Sequence, residues 1–178
     1  MLKAICLVGP SASGKTSICE ALSDSPIFQK VRTATTRTKR NNEKDNAYYF
    51  LSKEEFNTLL MNNKFLETSE YAGQFYGTPI SSIENIVSQG KIALVPIDLN
   101  GALKYKEHFG LDVLLVYIHR NKKDLIKAIV ERDIPSDEKA QRIMQLDDEI
   151  THIDFCDACI INNKTIDLAI SALNYFAK

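Results

Sequence analysis

The eight residues Gly9-Pro10-Ser11-Ala12-Ser13-Gly14-Lys15-Thr16 read G-x-x-x-x-G-K-T, a set of residue types and spacings suited to holding a polyphosphate. Gly9 and Gly14 let the backbone curl so that its N–H groups point into one concavity. Those donors, with the positive end of a following helix, bind phosphate oxygens. Lys15 reaches the outer phosphates, and the Thr16 hydroxyl is the protein ligand for Mg2+. Ser11, Ala12, Ser13 and Ser17 complete the candidate binding run. An ordinary Gly/Ser turn would fit the same pattern, so the flanking elements have to decide between the two readings. A second run, Gln29 to Asn42, carries Lys30, Arg32, Arg37, Lys39 and Arg40 with no acidic residue. Within it Thr33 to Arg40 mixes hydroxyls with cations, which suits a single phosphate better than a long nucleic acid. A solvated basic loop is the plain alternative.

These groups need elements to position them. Leu2 to Val8 is almost wholly apolar, as a buried parallel strand is. Ile18, Ala21 and Leu22 follow the loop at helical spacing. Strand, glycine loop and helix start are the context in which the loop motif means phosphate binding. Ser25-Pro26 breaks the pattern. Residues 43 to 79 form a small α+β insertion. It holds a strand at Tyr48 to Leu51 and a capping box Ser52-x-x-Glu55 opening a helix with Phe56, Leu59 and Leu60 on one face. A second strand at Phe65 to Glu67 and a hairpin turning at Gly73 complete it. Thr78-Pro79 starts the next helix with proline at its first position, and Ile83, Ile86 and Val87 face inward. Strands at Lys91 to Ile97, Asp112 to Ile118 and Asp157 to Ile161 then alternate with helices at Ala102 to Phe109, Asn121 to Arg132, a long one capped by Ser136, and a closing one through Phe176. The helix at 121–132 presents Leu125, Ile126, Ile129 and Val130 on one face. Such alternation predicts an α/β fold, a parallel sheet with helices on both faces. Ligands in such sheets collect at the carboxyl ends of the strands, where the phosphate loop and Asp98 both lie.

Bulk composition excludes several classes. The 178 residues carry 22 basic and 23 acidic side chains, a net charge of −1, so no global charge calls for a nucleic acid. No apolar run approaches the ~20 residues of a membrane span. Met1-Leu2-Lys3 leads directly into the first strand, which predicts a cytoplasmic protein with no membrane partner. Cys6 and Cys19 read as small buried hydrophobes. Cys156 and Cys159 form C-x-x-C without a second pair, and with His152 alone nearby they read as structural thiols.

In order along the chain, the motifs resemble guanylate kinase, and the resemblance runs end to end. The matching pieces are G-P-S-A-S-G-K-T at 9–16, T-T-R-T-K-R with Glu43 and Tyr48 at 35–48, F-L-E at 65–67, Y-G-T at 76–78, I-D-L-N-G at 97–101 and I-N-N at 161–163. The resemblance implies a P-loop NTPase-type sheet in one domain: a core at 1–33 and 80–178, a GMP-binding lobe at 34–79 and a helical lid near 128–142. It implies ATP as phosphoryl donor with Mg2+, and GMP or dGMP as acceptor. Arg37, Arg40, Tyr48 and Tyr76 match the residues that grip the GMP phosphate, and paired guanidiniums with phenols suit that anion. Glu67 matches the residue that reads guanine. A carboxylate accepts from N1–H and the exocyclic amino group, and it faces a lone pair when adenine is offered. Thr33, Thr78 and Asp98 match the remaining base-contacting positions, although Thr78 also suits a helix cap. Lys15, Arg37, Arg132 and Arg142 match the groups that neutralise the transferring phosphoryl, the last two from the lid.

Two departures from the family pattern stand out. The family has Asp-x-Asp where this chain has Pro96-Ile97-Asp98, and an arginine where this chain has Ala128. Lys127 or Arg120 are the cations near enough in sequence to stand in, though lysine lacks the planar fork. The departures keep open a catalytically weak guanylate kinase-like protein-interaction module, and a related small kinase with another phosphorylated acceptor. The residues specify no oligomeric state.

Overall fold

Ala4–Val8, five apolar residues that are all fully buried, form the central strand β1. The computed structural model describes residues 2–39, 47–71, 73–163 and 165–177. After β1 come α1 (Lys15–Ala21), β2 (Phe28–Lys30), β3 (Ala34–Thr35), β4 (Tyr49–Phe50), α2 (Lys53–Met61), β5 (Phe65–Tyr71), β6 (Gln74–Pro79) and α3 (Ile80–Ser88). Then follow β7 (Ile92–Pro96), α4 (Leu99–Phe109), β8 (Val113–His119), α5 (Lys122–Val130), α6 (Ser136–Thr151), β9 (Ala158–Ile161) and α7 (Ile166–Phe176).

The main sheet runs β2-β7-β1-β8-β9, with every pairing parallel. The two-residue period of a strand sends alternate side chains to opposite faces. Ala4, Cys6 and Val8 therefore join Ile83, Ile86, Ala102 and Tyr105 of α3 and α4 on one face. Ile5 and Leu7 join Ile18, Cys19, Ala169 and Leu173 of α1 and α7 on the other. Each fully buried Ile or Leu here contributes about 1.5–3 kcal/mol of apolar transfer. The register sets Leu7 opposite Pro96, so the loop after β1 and Asp98 after β7 emerge at the same edge.

A second sheet, β4-β3-β6-β5, is built from residues 34–79. It is held over α2 by Phe56, whose ring stacks on Phe65 at 4.5 Å and Phe75 at 5.7 Å. The capping box at Ser52 and Glu55 is present in full. Gly73, at φ +70°, stands at the turn between β5 and β6. A third small cluster, Leu125 and Ile129 of α5 with Leu146 of α6, joins the last two long helices to each other.

Several local expectations needed correction. The strands β2 and β3 form at and within the basic run, where no strand was expected. Phe28 and Val31 are buried there, and β2 pairs with β7 over three residues. Helix α4 starts at Leu99, three residues earlier than expected, because the Asp98 side chain accepts from Gly101 N–H at 2.8 Å and caps it. Pro79 is the N-cap residue of α3 and not its first helical residue. Ser136 does not cap α6; it is the first helical residue, after Pro135. Leu60 and Val130 are exposed, at 45% and 52%, since each stands at the margin of its helix's apolar face. Cys6 and Cys19 are buried, while Cys156 and Cys159 are free thiols at or near the surface. No helix among the described residues is long and apolar enough to cross a membrane.

Candidate active site

The phosphate loop takes its shape from glycine and from a strained alanine. Gly9 has φ +141°, and a Cβ there would stand 2.7 Å from the Ile118 carbonyl oxygen on β8. Ala12 adopts φ +68°, a left-handed conformation that costs a non-glycine residue roughly 1–2 kcal/mol. Neighbouring side chains hold the strained turn in place. Arg120 Nη1 donates to the Ala12 carbonyl at 3.0 Å, and Asn162 Nδ2 donates to the Ser13 carbonyl at 2.8 Å. The Ser11 N–H donates to Glu149 Oε2 at 3.1 Å, and Tyr117 fixes that turn of α6 by donating to the Glu149 carbonyl.

Lys15 folds back over the loop and donates to the carbonyls of Gly9 and Pro10. Burial pushes its ammonium down to about 8; Glu149 and Asp98 oppose that fall, while Arg132 and Arg142 add to it. Two arginines, Arg132 after α5 and Arg142 of α6, converge on Ser11. Arg142 Nη1 donates to Ser11 Oγ at 2.8 Å, and its Nε and Nη2 grip Glu138 at 3.1 and 2.6 Å. Arg132 Nη1 approaches the same hydroxyl at 3.5 Å. Burial lowers the Arg132 pKa, with Arg142 beside it pushing the same way. A concentration of cations around one loop is what an incoming polyanion neutralises.

Two clefts meet at this point. One, of about 290 Å3, is lined by Gly9, Ser11 through Ser17, Ile97, Asp98, Arg132, Arg142 and Glu149. The other, of about 370 Å3, contains Thr33, Tyr48, Glu67, Tyr76, Thr78 and Asp98. Thr16, Ile97 and Asp98 belong to both walls. In the second cleft the β5–β6 register sets Glu67 opposite Thr78, whose hydroxyl donates to Glu67 Oε1 at 2.6 Å. Burial raises the Glu67 pKa, the Thr78 hydroxyl pulls it back, and the Asp98 carboxylate adds to the rise. Thr78 thus serves the carboxylate and does not cap α3. Tyr48 and Tyr76 meet edge to face at 6.4 Å. Arg37 lies over the Tyr48 and Phe50 rings, 5.5 and 5.8 Å from their centroids, beside the cleft and not in its wall. Arg40 lies outside the described residues. A larger cleft of about 660 Å3 opens elsewhere, lined by Tyr49, Leu51, Leu59, Pro79 and Ile80, with Lys64 and Glu84 as the charged groups among the described residues there.

The family model for guanylate kinase matches residues 1–178. This chain belongs to the guanylate kinase family. It is 35% identical over 167 residues to a guanylate kinase of Clostridium perfringens, covering 92% of this chain and 77% of that one. It is 36% identical over 174 residues to a guanylate kinase of Synechococcus, covering 96% and 94%. A crystal structure of guanylate kinase from Anaplasma phagocytophilum aligns at TM-score 0.72 with 26% identity, over 97% of this chain and 82% of that one. The shikimate kinase of Acinetobacter baumannii shares the fold alone, at TM-score 0.51 and 14% identity over 99% of this chain and 93% of that one. Membership makes the chain a nucleoside monophosphate kinase with the parallel-sheet fold of P-loop kinases.

Sequence reasoning about guanylate kinase motifs missed Glu149 and the anchoring role of Asn162. Asn162 sat inside the I-N-N run and was legible there. Glu149 is one acid among several on α6, and only the packing of that helix turns it to Ser11. Of the two cations considered for the gap at Ala128, Arg120 reaches the phosphate loop. Lys127 is 73% exposed and stands 3.9 Å from Glu131.

Proposed function

We propose that this chain transfers the γ-phosphoryl group of ATP to GMP or dGMP, giving GDP or dGDP, by in-line displacement assisted by Mg2+. The observation that carries the reading is the shared wall of Thr16, Ile97 and Asp98. A triphosphate in the loop cleft and a monophosphate in the second cleft would present their reacting ends to each other across it. Residues 34–79 act as the acceptor lobe, and the turn from α5 into α6, near 128–142, acts as the lid.

The loop N–H groups, Lys15 and the Ser11 to Ser17 run hold the donor phosphates. Arg132 and Arg142 move their pairing from Ser11 to the transferring phosphoryl and neutralise its equatorial oxygens. Arg37 and Arg40, with Tyr48 and Tyr76, hold the acceptor phosphate. Glu67 reads guanine N1–H and the exocyclic amino group, supported by Thr33, Thr78 and Asp98. Little covalent chemistry falls to the protein, so positioning and charge neutralisation supply most of the acceleration.

Mg2+ bound to phosphates keeps several waters and needs few protein ligands. The donor set fits this: Thr16 lines the loop cleft together with Asp98, and no group of three metal-ligating side chains occurs among the described residues. When bound with ATP, the ion would neutralise phosphate charge and be held by Thr16.

A coupled assay of ADP release across GMP, dGMP, AMP, CMP and UMP tests the reading. Turnover confined to the guanine nucleotides is expected. Equal turnover of AMP would overturn the base assignment, and binding of GMP without turnover would make the chain a binding module.

A further inference from the structure

We infer that Glu149 is a positioning residue for the phosphoryl donor: its carboxylate holds the Pro10–Ser11 peptide, and through that peptide it aims the Lys15 ammonium. This rests on the reading of the phosphate loop as the donor site and deepens it. Glu149 lies on α6, far along the chain from Lys15, yet both line the loop cleft. An acid in the wall of an anion site repels the anion, so its presence there calls for a specific use.

That use is visible in one peptide plane. The Ser11 N–H donates to Glu149 Oε2 at 3.1 Å. The carbonyl of the same peptide unit belongs to Pro10, and it accepts from Lys15 Nζ at 3.0 Å and from the Ser13 N–H at 3.1 Å. A trans peptide is planar, with its N–H and C=O pointing opposite ways. Drawing the N–H toward Glu149 therefore turns the carbonyl toward Lys15, and sets it for the turn that Ser13 closes. The second carbonyl holding Lys15 is that of Gly9. Its peptide unit ends at Pro10, which has no N–H, and so offers no such handle.

The groups around Glu149 leave it this task. Arg120 and Asn162, the residues after β8 and β9, hold the Ala12 and Ser13 carbonyls in the second half of the loop. Glu149 holds the first half. Its backbone is fixed in turn, because the buried Tyr117 of β8 donates to the Glu149 carbonyl at 3.3 Å. Arg142, earlier on α6, is engaged with the Ser11 hydroxyl and with Glu138. The carboxylate charge acts in the same direction as its reach. Burial pushes the Lys15 ammonium down to about 8; Glu149 leads the charges that oppose this, with Asp98 behind it and Arg132 and Arg142 against it.

Two variants separate reach from charge. Glu149→Gln keeps an acceptor oxygen at the same reach and loses the charge. Glu149→Asp keeps the charge and withdraws the oxygen by one methylene. ATP affinity is measured by calorimetry, and KM for ATP and for GMP by steady-state kinetics. Glu149→Asp is expected to weaken ATP binding about tenfold, the weight of one hydrogen bond to a charged group. Its KM for ATP should rise in step while that for GMP stays unchanged. Glu149→Gln should recover most of the loss, since it still accepts from the Ser11 N–H. Wild-type affinity in Glu149→Asp would overturn the inference, and so would an equal loss in both variants, which charge alone would explain. Tighter ATP binding in either variant would also overturn it, by showing a carboxylate that obstructs the phosphates. Lys15→Ala is measured in parallel. If that variant binds and turns over ATP as the wild type does, the donor-site reading itself fails; if only the Glu149 variants are silent, the positioning role alone fails.

Discussion

Lys15 shows how a single group can be poised by its surroundings. It donates to two carbonyls of its own loop and sits in a field where burial favours the neutral amine. A bound polyphosphate favours the ammonium and raises its pKa, so ATP binding takes up a proton at pH values above about 8. The affinity for ATP is therefore expected to fall as pH rises through that value, measurable by calorimetry in buffers of different ionisation enthalpy. Lys15→Ala should abolish turnover while leaving the fold intact, because the head group serves the loop and not the core; circular dichroism with the coupled assay checks both. On the proposed function, Arg37→Ala removes one charge-assisted pair to the acceptor phosphate, worth about 1.5–3 kcal/mol, together with its contact over the Tyr48 ring. It should raise the KM for GMP by one to two orders of magnitude and leave that for ATP nearly unchanged. An equal rise for both would show that the Arg37 side chain does not belong to the acceptor site.

At the scale of elements, the two functional arms rest on small clusters separate from the main core. Helices α5 and α6 meet through Leu125, Ile129 and Leu146, with Ala12 of the phosphate loop packed against the same cluster. Truncating Leu146 to Ala removes a fully buried side chain, which in a well-packed site costs about 2–5 kcal/mol. Because α6 also carries Arg142 and Glu149, the expected outcome is a fall in kcat, with hydrogen exchange accelerated in α5 and α6 more than in β1 or β8. Uniform loss of protection would mean that α5 and α6 unfold only with the core. In the second sheet, Ser52→Ala deletes the cap of α2, about 1 kcal/mol. It should lower Tm by a few degrees with little change in kcat, since α2 contributes Phe56 to packing and no side chain to the acceptor cleft.

Across the whole molecule, the two departures from the family pattern stand apart, Pro96 at the end of β7 and Ala128 on α5. Pro96 lines the second cleft beside Asp98, and Arg120, the residue after β8, reaches the phosphate loop. If Arg120 makes up for the cation missing at Ala128, then Pro96→Asp with Ala128→Arg should raise kcat only modestly, and Arg120→Ala should lower it. Steady-state kinetics of the three variants separates compensation from a true deficit. A large gain in the double variant would show that this chain works without a compensating group.

How much of this was legible in the chain follows from how local each cause is. The phosphate loop could be read directly, because its glycines, lysine and threonine act through backbone geometry within eight residues. The alternation of apolar strands with helices was likewise enough for the parallel sheet, and the order of the motifs was enough for the family. Short strands were not legible: β2 forms because Phe28 and Val31 find a core beside β7, which neighbouring residues do not encode. The tertiary structure alone decided which face of α6 turns Glu149 and Arg142 to Ser11, and which of Lys127 and Arg120 meets the loop. It also set Glu67 across from Thr78, whose hydroxyl it accepts from. Each of these depends on the register or packing of elements distant along the chain. A hydrogen bond is made or lost within about an ångström, and residue types and spacing do not locate distant elements that finely.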